Sequence, residues 1–177
     1  MDTTISMLRG INVGGQKRVP MDELKACYES LGFTNVRTYI QSGNVVFDHP
    51  SSDKHALIEK LQKSIRLKFG LEVPIIARTK EEMQKVIRDF PFERQKTERA
   101  HVTFLSAKAS AFPSTEIDRA CAKGEEYAAS GTEVYLFLAH GYGRTKLSNQ
   151  FFEKKLGLLA TTRNWRTVET LDALARG

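Results

Sequence analysis

The stretch Arg9-Gly10-Ile11-Asn12-Val13-Gly14-Gly15-Gln16-Lys17-Arg18 joins an apolar run to an amphipathic one, the setting of a phosphate-binding loop. The phosphate-cradling pattern needs Gly, four residues, Gly-Lys and then a Ser or Thr for magnesium. Gly10 and Gly15 have that separation, but Gln16 stands before Lys17 and Arg18 replaces the hydroxyl. The dinucleotide pattern G-x-G-x-x-G fails as well, because Asn12 occupies its middle glycine. Without a magnesium ligand, nucleotide hydrolysis of the phosphate-loop kind is not expected. Two readings stay open. Glycines that turn backbone N–H groups toward one point make an anion nest, which Arg9 and Lys17 would reinforce; or the glycines serve only the turns of a connection.

A second candidate lies near the C-terminus. Residues 141–166 hold Arg144, Lys146, Lys154, Lys155, Arg163 and Arg166 against the single carboxylate Glu153. Nearly all of the chain's net charge of +6 is concentrated there. Leu147 and Phe152 flank Ser148 at the spacing of a hydrophobic staple around an N-cap, Asn149 opens the helix, and Gly157 ends it. Thr161 or Thr162 then caps a further helix with an apolar stripe of Trp165, Val168, Leu171 and Leu174. Its first turn would present Arg163, Asn164 and Arg166 beside unpaired N–H groups, which suits a phosphate or carboxylate. The pair also has the form of a helix–turn–helix, although any helical hairpin with surface arginines fits that form. Trp165 at helical spacing reads as core, and no aromatic-rich RNA-binding strand is present.

A third stretch, Thr38-Tyr39-Ile40-Gln41-Ser42-Gly43-Asn44-Val45-Val46-Phe47, sets polar and small residues between two β-favouring runs. Ser42-Gly43 reads as a hairpin turn and Asn44 as a residue tolerant of left-handed geometry. Gln41 has no duty in a tight turn. His49, His55, His101 and His140 lack zinc-site spacing, and neither G-x-S-x-G nor H-E-x-x-H occurs. Glu125-Glu126 and Glu116 with Asp118 read as solvated carboxylates. No metal or cofactor is expected.

These stretches must be positioned by 177 residues of ordinary globular composition, 41% hydrophobic and 27% charged. No apolar run approaches the roughly 18 residues that span a bilayer, and the start has no basic region before a greasy stretch. A soluble cytoplasmic protein with reduced, buried Cys27 and Cys121 is expected. Its positive charge favours anionic partners, nucleic acid or phosphorylated small molecules, and no membrane.

Residues 4–77 read β-α-β-β-α-β. The strands are at 4–8, 35–40, 44–48 and 71–77. One helix follows Pro20 and another starts at Pro50-Ser51-Ser52-Asp53; Pro74 marks an edge or a bulge. Thr79 with Glu82 makes a capping box for a third helix. Residues 89–99, polar and broken by Pro91, read as a linker. The order then partly repeats, with strands at 100–106, 126–130 and 132–139 and helices at 114–123 and 148–156. The last strand is missing, and a helix at 163–175 takes its place. The fold class expected is α+β with two ferredoxin-like halves, 1–88 and 100–177, the second incomplete and ending in a helical pair. Ideal topology would place Gln41 and Asn12 at opposite ends of the first half.

The blocks LRGINVGG, VPMDELK, LGFTNVRTYIQSGNVVF, KLSNQFFEKKLG and ATTRNWRTV, in this order, resemble the bacterial domain-of-unknown-function family number 1697. The resemblance implies an α+β fold with ferredoxin-like halves and imports no activity. Its polar motif positions fall on Arg9, Asn12, Gly14, Gly15, Gln41, Ser42, Gly43, Asn44, Lys146, Ser148, Asn149, Thr161, Thr162, Arg163 and Asn164. These residues apart from Gly43 and Thr161, together with Lys17, make up the candidate ligand-binding set. The leading expectation is binding of an anionic ligand. The alternatives are an enzyme acting on a phosphorylated substrate, with Arg9, Lys146 and Arg163 neutralising charge, and an interaction module in which these residues only cap and turn.

Overall fold

A computed structural model describes residues 1–50 and 53–177, so the reading of Ser51 and Ser52 as part of a helix start lies outside the described residues. The chain forms two compact units, each with a four-stranded antiparallel sheet.

The first unit comprises Met1–Lys85 and Thr170–Gly177. It contains β1 (Asp2–Leu8), α1 (Met21–Glu29), β2 (Thr34–Tyr39), β3 (Asn44–His49), α2 (Lys54–Phe69) and β4 (Ile75–Thr79), and α3 (Lys80–Arg88) begins in it. The strand order is β2-β3-β1-β4, with Met7 opposite Asn44 and Ile5 opposite Arg78. Pro74 immediately precedes β4, and β4 is an edge strand, where a missing N–H is tolerated. Pro20 lies just outside α1 as its N-cap residue. One face of the sheet packs Leu8, Val45 and Phe47 against Leu24, Cys27 and Tyr28 of α1 and Leu57, Leu61 and Ile65 of α2. Full burial of each such side chain contributes about 1.5–3 kcal/mol. Tyr28 is accommodated because its hydroxyl lies 2.9 Å from Ser6 Oγ; burial pushes its phenol pKa up. Ile5, Met7 and Val46, on the opposite face, are fully buried too. Burial on both faces is why apolar residues stand side by side, as at Met7-Leu8 and Val45-Val46-Phe47, instead of strictly alternating.

The second unit, Val86–Glu169, contains β5 (Ala100–Leu105), α4 (Ser114–Ala120), β6 (Glu126–Ser130), β7 (Glu133–Phe137), α5 (Asn149–Leu156) and β8 (Ala160–Asn164), followed by the start of α6 (Trp165–Arg176). Its order is β6-β7-β5-β8. Leu105, Val134, Leu136 and Ala160 meet Ile117 of α4 and Leu147 and Phe152 at α5. Within the stretch read as a linker, Arg94–Arg99 forms a 3-10 helix and Phe90 lies on Trp165, ring centroids 4.0 Å apart. Cys27 is buried beside Ser64, whereas Cys121 is only half-buried; both are free thiols.

The expected absence of a last strand in the second half is overturned. Ala160–Asn164 is β8 and pairs with β5, Val102 opposite Arg163 and Thr103 opposite Thr162. The strand escaped notice because ATTRN has no apolar contrast; its threonines are nonetheless β-branched and suit a sheet. Each unit's last strand runs straight into a helix. Thr79 and Glu82 form the expected capping box: Thr79 N–H donates to Glu82 Oε2 at 2.8 Å and Glu82 N–H to Thr79 Oγ1 at 3.2 Å. At the other junction the cap is Asn164, whose Oδ1 accepts from Thr167 N–H at 2.8 Å, rather than Thr161 or Thr162. Just before each cap stands a buried arginine, Arg78 or Arg163, whose Nη1 donates to the preceding carbonyl.

Two stability predictions follow from the first unit. A Cβ at Gly43 would lie 2.6 Å from Ile11 Cδ1 and 2.8 Å from Leu8 Cβ, at a φ of +80°. Gly43→Ala therefore loses about 2 kcal/mol or more in urea denaturation. Gly14→Ala, at φ +58° but in open space, loses only about 1 kcal/mol. Partial burial alone would raise the Glu82 carboxyl, but hydrogen bonds from Lys54 Nζ and Thr79 N–H and the Lys54 and Arg78 charges hold it below the usual carboxylate range. A depressed folded pKa gives stability that is present above the unfolded value and lost as pH falls through the folded one. Denaturation midpoints measured from neutral to acid pH decline below about pH 4, and Glu82→Gln makes that decline shallower.

Candidate functional site

Asn12 joins the first loop to the β2–β3 turn. Its backbone is left-handed, φ +54°, which asparagine tolerates. Its carboxamide behaves like a peptide group: Oδ1 accepts from Val19 N–H at 2.8 Å, and Nδ2 donates to Val19 O at 2.9 Å and Gln41 O at 2.8 Å. The expectation that Asn12 and Gln41 lie at opposite ends of the sheet is thus wrong. β1 and β2 both run antiparallel to β3, so both end on the same side, and the turn between β2 and β3 sits beside the loop that leaves β1. Leu8 N–H donates to Gly43 O at 2.9 Å, extending the β1–β3 ladder to the turn.

The glycines of the loop build a hairpin tip. Asn12 N–H donates to Lys17 O, Gln16 N–H to Val13 O, and Gly14 and Gly15 between them both have positive φ, the pattern of a type I′ turn. That geometry aims no set of amides at one point, so the glycines serve the turn. Behind the tip a groove of about 380 Å³ is lined by Asn12, Gly15, Arg18, Val19, Pro20 and Gln41. Arg18 and the Gln41 side chain are exposed there. Lys17 Nζ donates to Glu72 O at 3.3 Å, and Arg9 is half-buried, its N–H bonded to Pro74 O.

In the turn itself the left-handed residues are Ile40 and Gly43, not Asn44. Ile40 has φ +50° and is 49% exposed, a conformation that costs a β-branched residue about 1–3 kcal/mol. Asn44 is fully buried in β3, and its Nδ2 closes the turn from within, to Tyr39 O at 3.0 Å and Ser42 Oγ at 2.9 Å. Of the first unit's candidates, then, Asn12, Ser42 and Asn44 hold the architecture and the Gln41 side chain faces the groove, beside Arg18, which lies outside that set.

The second unit divides its candidates between the two faces of its sheet, Thr162 facing α5 and its strand neighbour Arg163 the other side. Ser148 caps α5, accepting from Phe151 N–H at 3.2 Å, and Leu147 and Phe152 are both fully buried, as the staple requires. Thr162 Oγ1 donates to Asn149 Oδ1 at 2.7 Å and lies 2.8 Å from Thr103 Oγ1. Arg163 is not an outward residue of a helix. It is a strand residue, 8% exposed, with Nη1 donating to Thr161 Oγ1 and Thr162 O. Burial pushes its guanidinium down to about 10, which leaves it charged at neutral pH. β8 separates α5 from α6, so the two are not a helix–turn–helix. Lys146 is exposed, as are Arg144, Lys154, Lys155 and Arg166.

Sequence reasoning passed over His101 and Tyr142. His101 is half-buried on β5, its ring stacked on Tyr142 at 5.6 Å with planes 25° apart, and its Nδ1 lies 3.3 Å from Arg99 O. Tyr142 Oη in turn accepts from Asn149 N–H at 3.3 Å. Desolvation holds the His101 imidazole below its usual range, so it is neutral at neutral pH. No sequence signal identifies the pair, because β5 and the 3-10 turn at Tyr142–Arg144 meet only in the folded chain.

The solved structure of the conserved bacterial protein SP0830 from Streptococcus pneumoniae matches 98% of this chain and 98% of its own, with a TM-score of 0.71 and 21% sequence identity. At that identity the likeness establishes a shared fold. No functionally curated protein matches the chain significantly. The family profile described as "Protein of unknown function (DUF1697)" matches residues 1–135. That span holds the Asn12 loop, the Gln41 turn and strands β5 and β6, and over three quarters of its length the chain therefore belongs to the DUF1697 family of proteins of unknown function.

Proposed function

We propose that the protein binds nucleic acid through its phosphate backbone. The observation that carries this is a set of exposed cations, Arg18 at the groove of the first unit and Arg144, Lys146, Lys154 and Lys155 in the second. Among the described residues none of the five has a carboxylate partner. Unpaired surface cations suit a polyanion, whose binding draws on counterion release. A phosphorylated small molecule fits less well. The Gly14-Gly15 tip is not a cradle, and the Arg163 guanidinium is turned onto Thr161 and Thr162. The same burial removes Arg163 from a charge-neutralising role in phosphoryl chemistry. Binding is therefore favoured over catalysis.

The strand order within each unit supports reading both as ferredoxin-like, now with the second complete. No helix of the described residues is long and apolar enough to cross a membrane. A cytoplasmic location belongs to the same proposal, since that compartment offers nucleic acid.

Fluorescence anisotropy with labelled single-stranded and duplex oligonucleotides over a salt series tests the proposal. Log K falls linearly with log salt, with a slope of about −0.7 to −0.9 per phosphate contacted. Replacing Lys146, Lys154 and Lys155 together by Ala shallows that slope by about 2 to 3, with stability unchanged within about 0.5 kcal/mol. Absence of binding at low salt, or a slope indifferent to the triple substitution, rejects the proposal.

A further inference from the structure

The groove behind the tip of the first loop lies wholly within the first unit, and at about 380 Å³ it falls in the size range of small-ligand sites. Its polar groups are of two kinds. The Asn12 carboxamide is engaged at both its oxygen and its nitrogen, by Val19 and by the Gln41 carbonyl. The Gln41 side chain and Arg18 face the same groove and are not engaged. Both are exposed, and neither side chain has a hydrogen-bond or ion-pair partner among the described residues. Gln41 is anchored through its backbone, whose carbonyl accepts from Asn12 Nδ2 at 2.8 Å. The residue before it, Ile40, holds a left-handed φ of +50°. Strain of that kind persists only where the surroundings over-determine it, and it clusters at ligand sites. The frame thus fixes the root of the Gln41 side chain and leaves its amide to a ligand.

These two groups set what the ligand must carry. A primary carboxamide presents a donor and an acceptor side by side in one plane. Its complement is a flat edge with an adjacent acceptor and donor, which nucleobases offer; glutamine on adenine is a recurrent pairing. Arg18 is a planar fork that suits a phosphate. Gly15, Val19 and Pro20 supply further lining, small or apolar, and no aromatic ring is among the lining residues. Recognition therefore falls to the amide rather than to stacking. A bare anion would use Arg18 and leave Gln41 idle. A base inside a duplex is held between its neighbours, whereas the splayed bases of a single strand present their edges to a recess.

We infer that this groove takes an unpaired nucleobase of a single strand, its hydrogen-bonding edge on the Gln41 amide and a neighbouring phosphate on Arg18. The inference rests on the nucleic-acid reading above and adds base contact to it, which phosphate binding alone does not give. It also assigns Gln41, the one residue of its turn that the turn itself does not require.

The test is fluorescence anisotropy on the full chain with three labelled probes of one length. They are a single strand containing all four bases, its duplex, and the same strand with abasic sugars in place of the bases. The abasic strand keeps every phosphate, so the two single strands show the same salt slope. The strand with bases binds about fivefold or more tightly than the abasic one. Gln41→Ala brings it down to the abasic level and leaves the affinities for the abasic strand and the duplex unchanged. Arg18→Ala weakens both single strands alike and shallows their slope by about 0.7. Urea midpoints of the unliganded variants stay in place, because both side chains are exposed. Equal binding of the two single strands, or a Gln41→Ala loss shared equally by all three probes, overturns the inference and leaves the phosphate reading standing. No binding of any probe at low salt overturns both.

Discussion

The end of the first unit that carries its candidate residues depends on one side chain. Asn12 uses both N–H groups and its carbonyl within 3 Å of three backbone partners. A tight loop leaving β1 would otherwise strand the N–H and C=O of Val19 and the carbonyl of Gln41, each costing about 1–3 kcal/mol if buried unmet. Glutamine is too long and aspartate cannot donate, so the role falls to asparagine, which also accepts the left-handed backbone. With the loop fixed, Ile11 is driven against Gly43, and the absence of a Cβ there lets the turn close over Leu8. The exposed residues, Arg18 and the Gln41 amide, are held by this frame without taking part in it.

What was legible in the sequence follows from contrast. α1, α2, α3 and α5 announce themselves because apolar residues recur on one face and Asp53, Thr79 and Ser148 stand at their starts as caps. β8 lacked that contrast. Its polar residues find partners inside the unit, Thr162 with Thr103 and Asn149, Arg163 with Thr161, so the strand is satisfied without being apolar. A strand whose buried faces are hydrogen-bonded looks like a loop to any method that counts hydrophobes. The candidate site was half legible. The composition flagged the residues, but which of them build and which of them face outward depended on strand direction. Two strands antiparallel to a common neighbour end together, and that rule places Asn12 beside Gln41. Their hydrogen bond cannot be read from spacing in the chain.

The two units solve one folding problem twice and then diverge. In each, the residue paired with a buried arginine sits on the central strand, Ile5 with Arg78 and Val102 with Arg163. Counting from those pairs, Thr4 of β1 corresponds to His101 of β5, and Ser6 to Thr103. Ser6 meets a tyrosine of α1, and Thr103 meets Thr162 and, through it, Asn149 of α5. The larger difference is at the neighbouring position. Thr4 is sealed, its hydroxyl 2.8 Å from His49 Nε2 under the rings of Phe33 and Phe47. His101 is only half-buried and borders a pocket. One unit therefore packs this end of its sheet shut, and the other leaves it open.

The unpaired lysines and arginines stand on exposed surface, where attraction to a polyanion is screened over a Debye length of about 10 Å at 0.1 M salt. Glu98 and Glu169 are exposed as well, so a phosphate backbone that follows the cations is repelled where it nears them, and the same screening length sets the range of both effects.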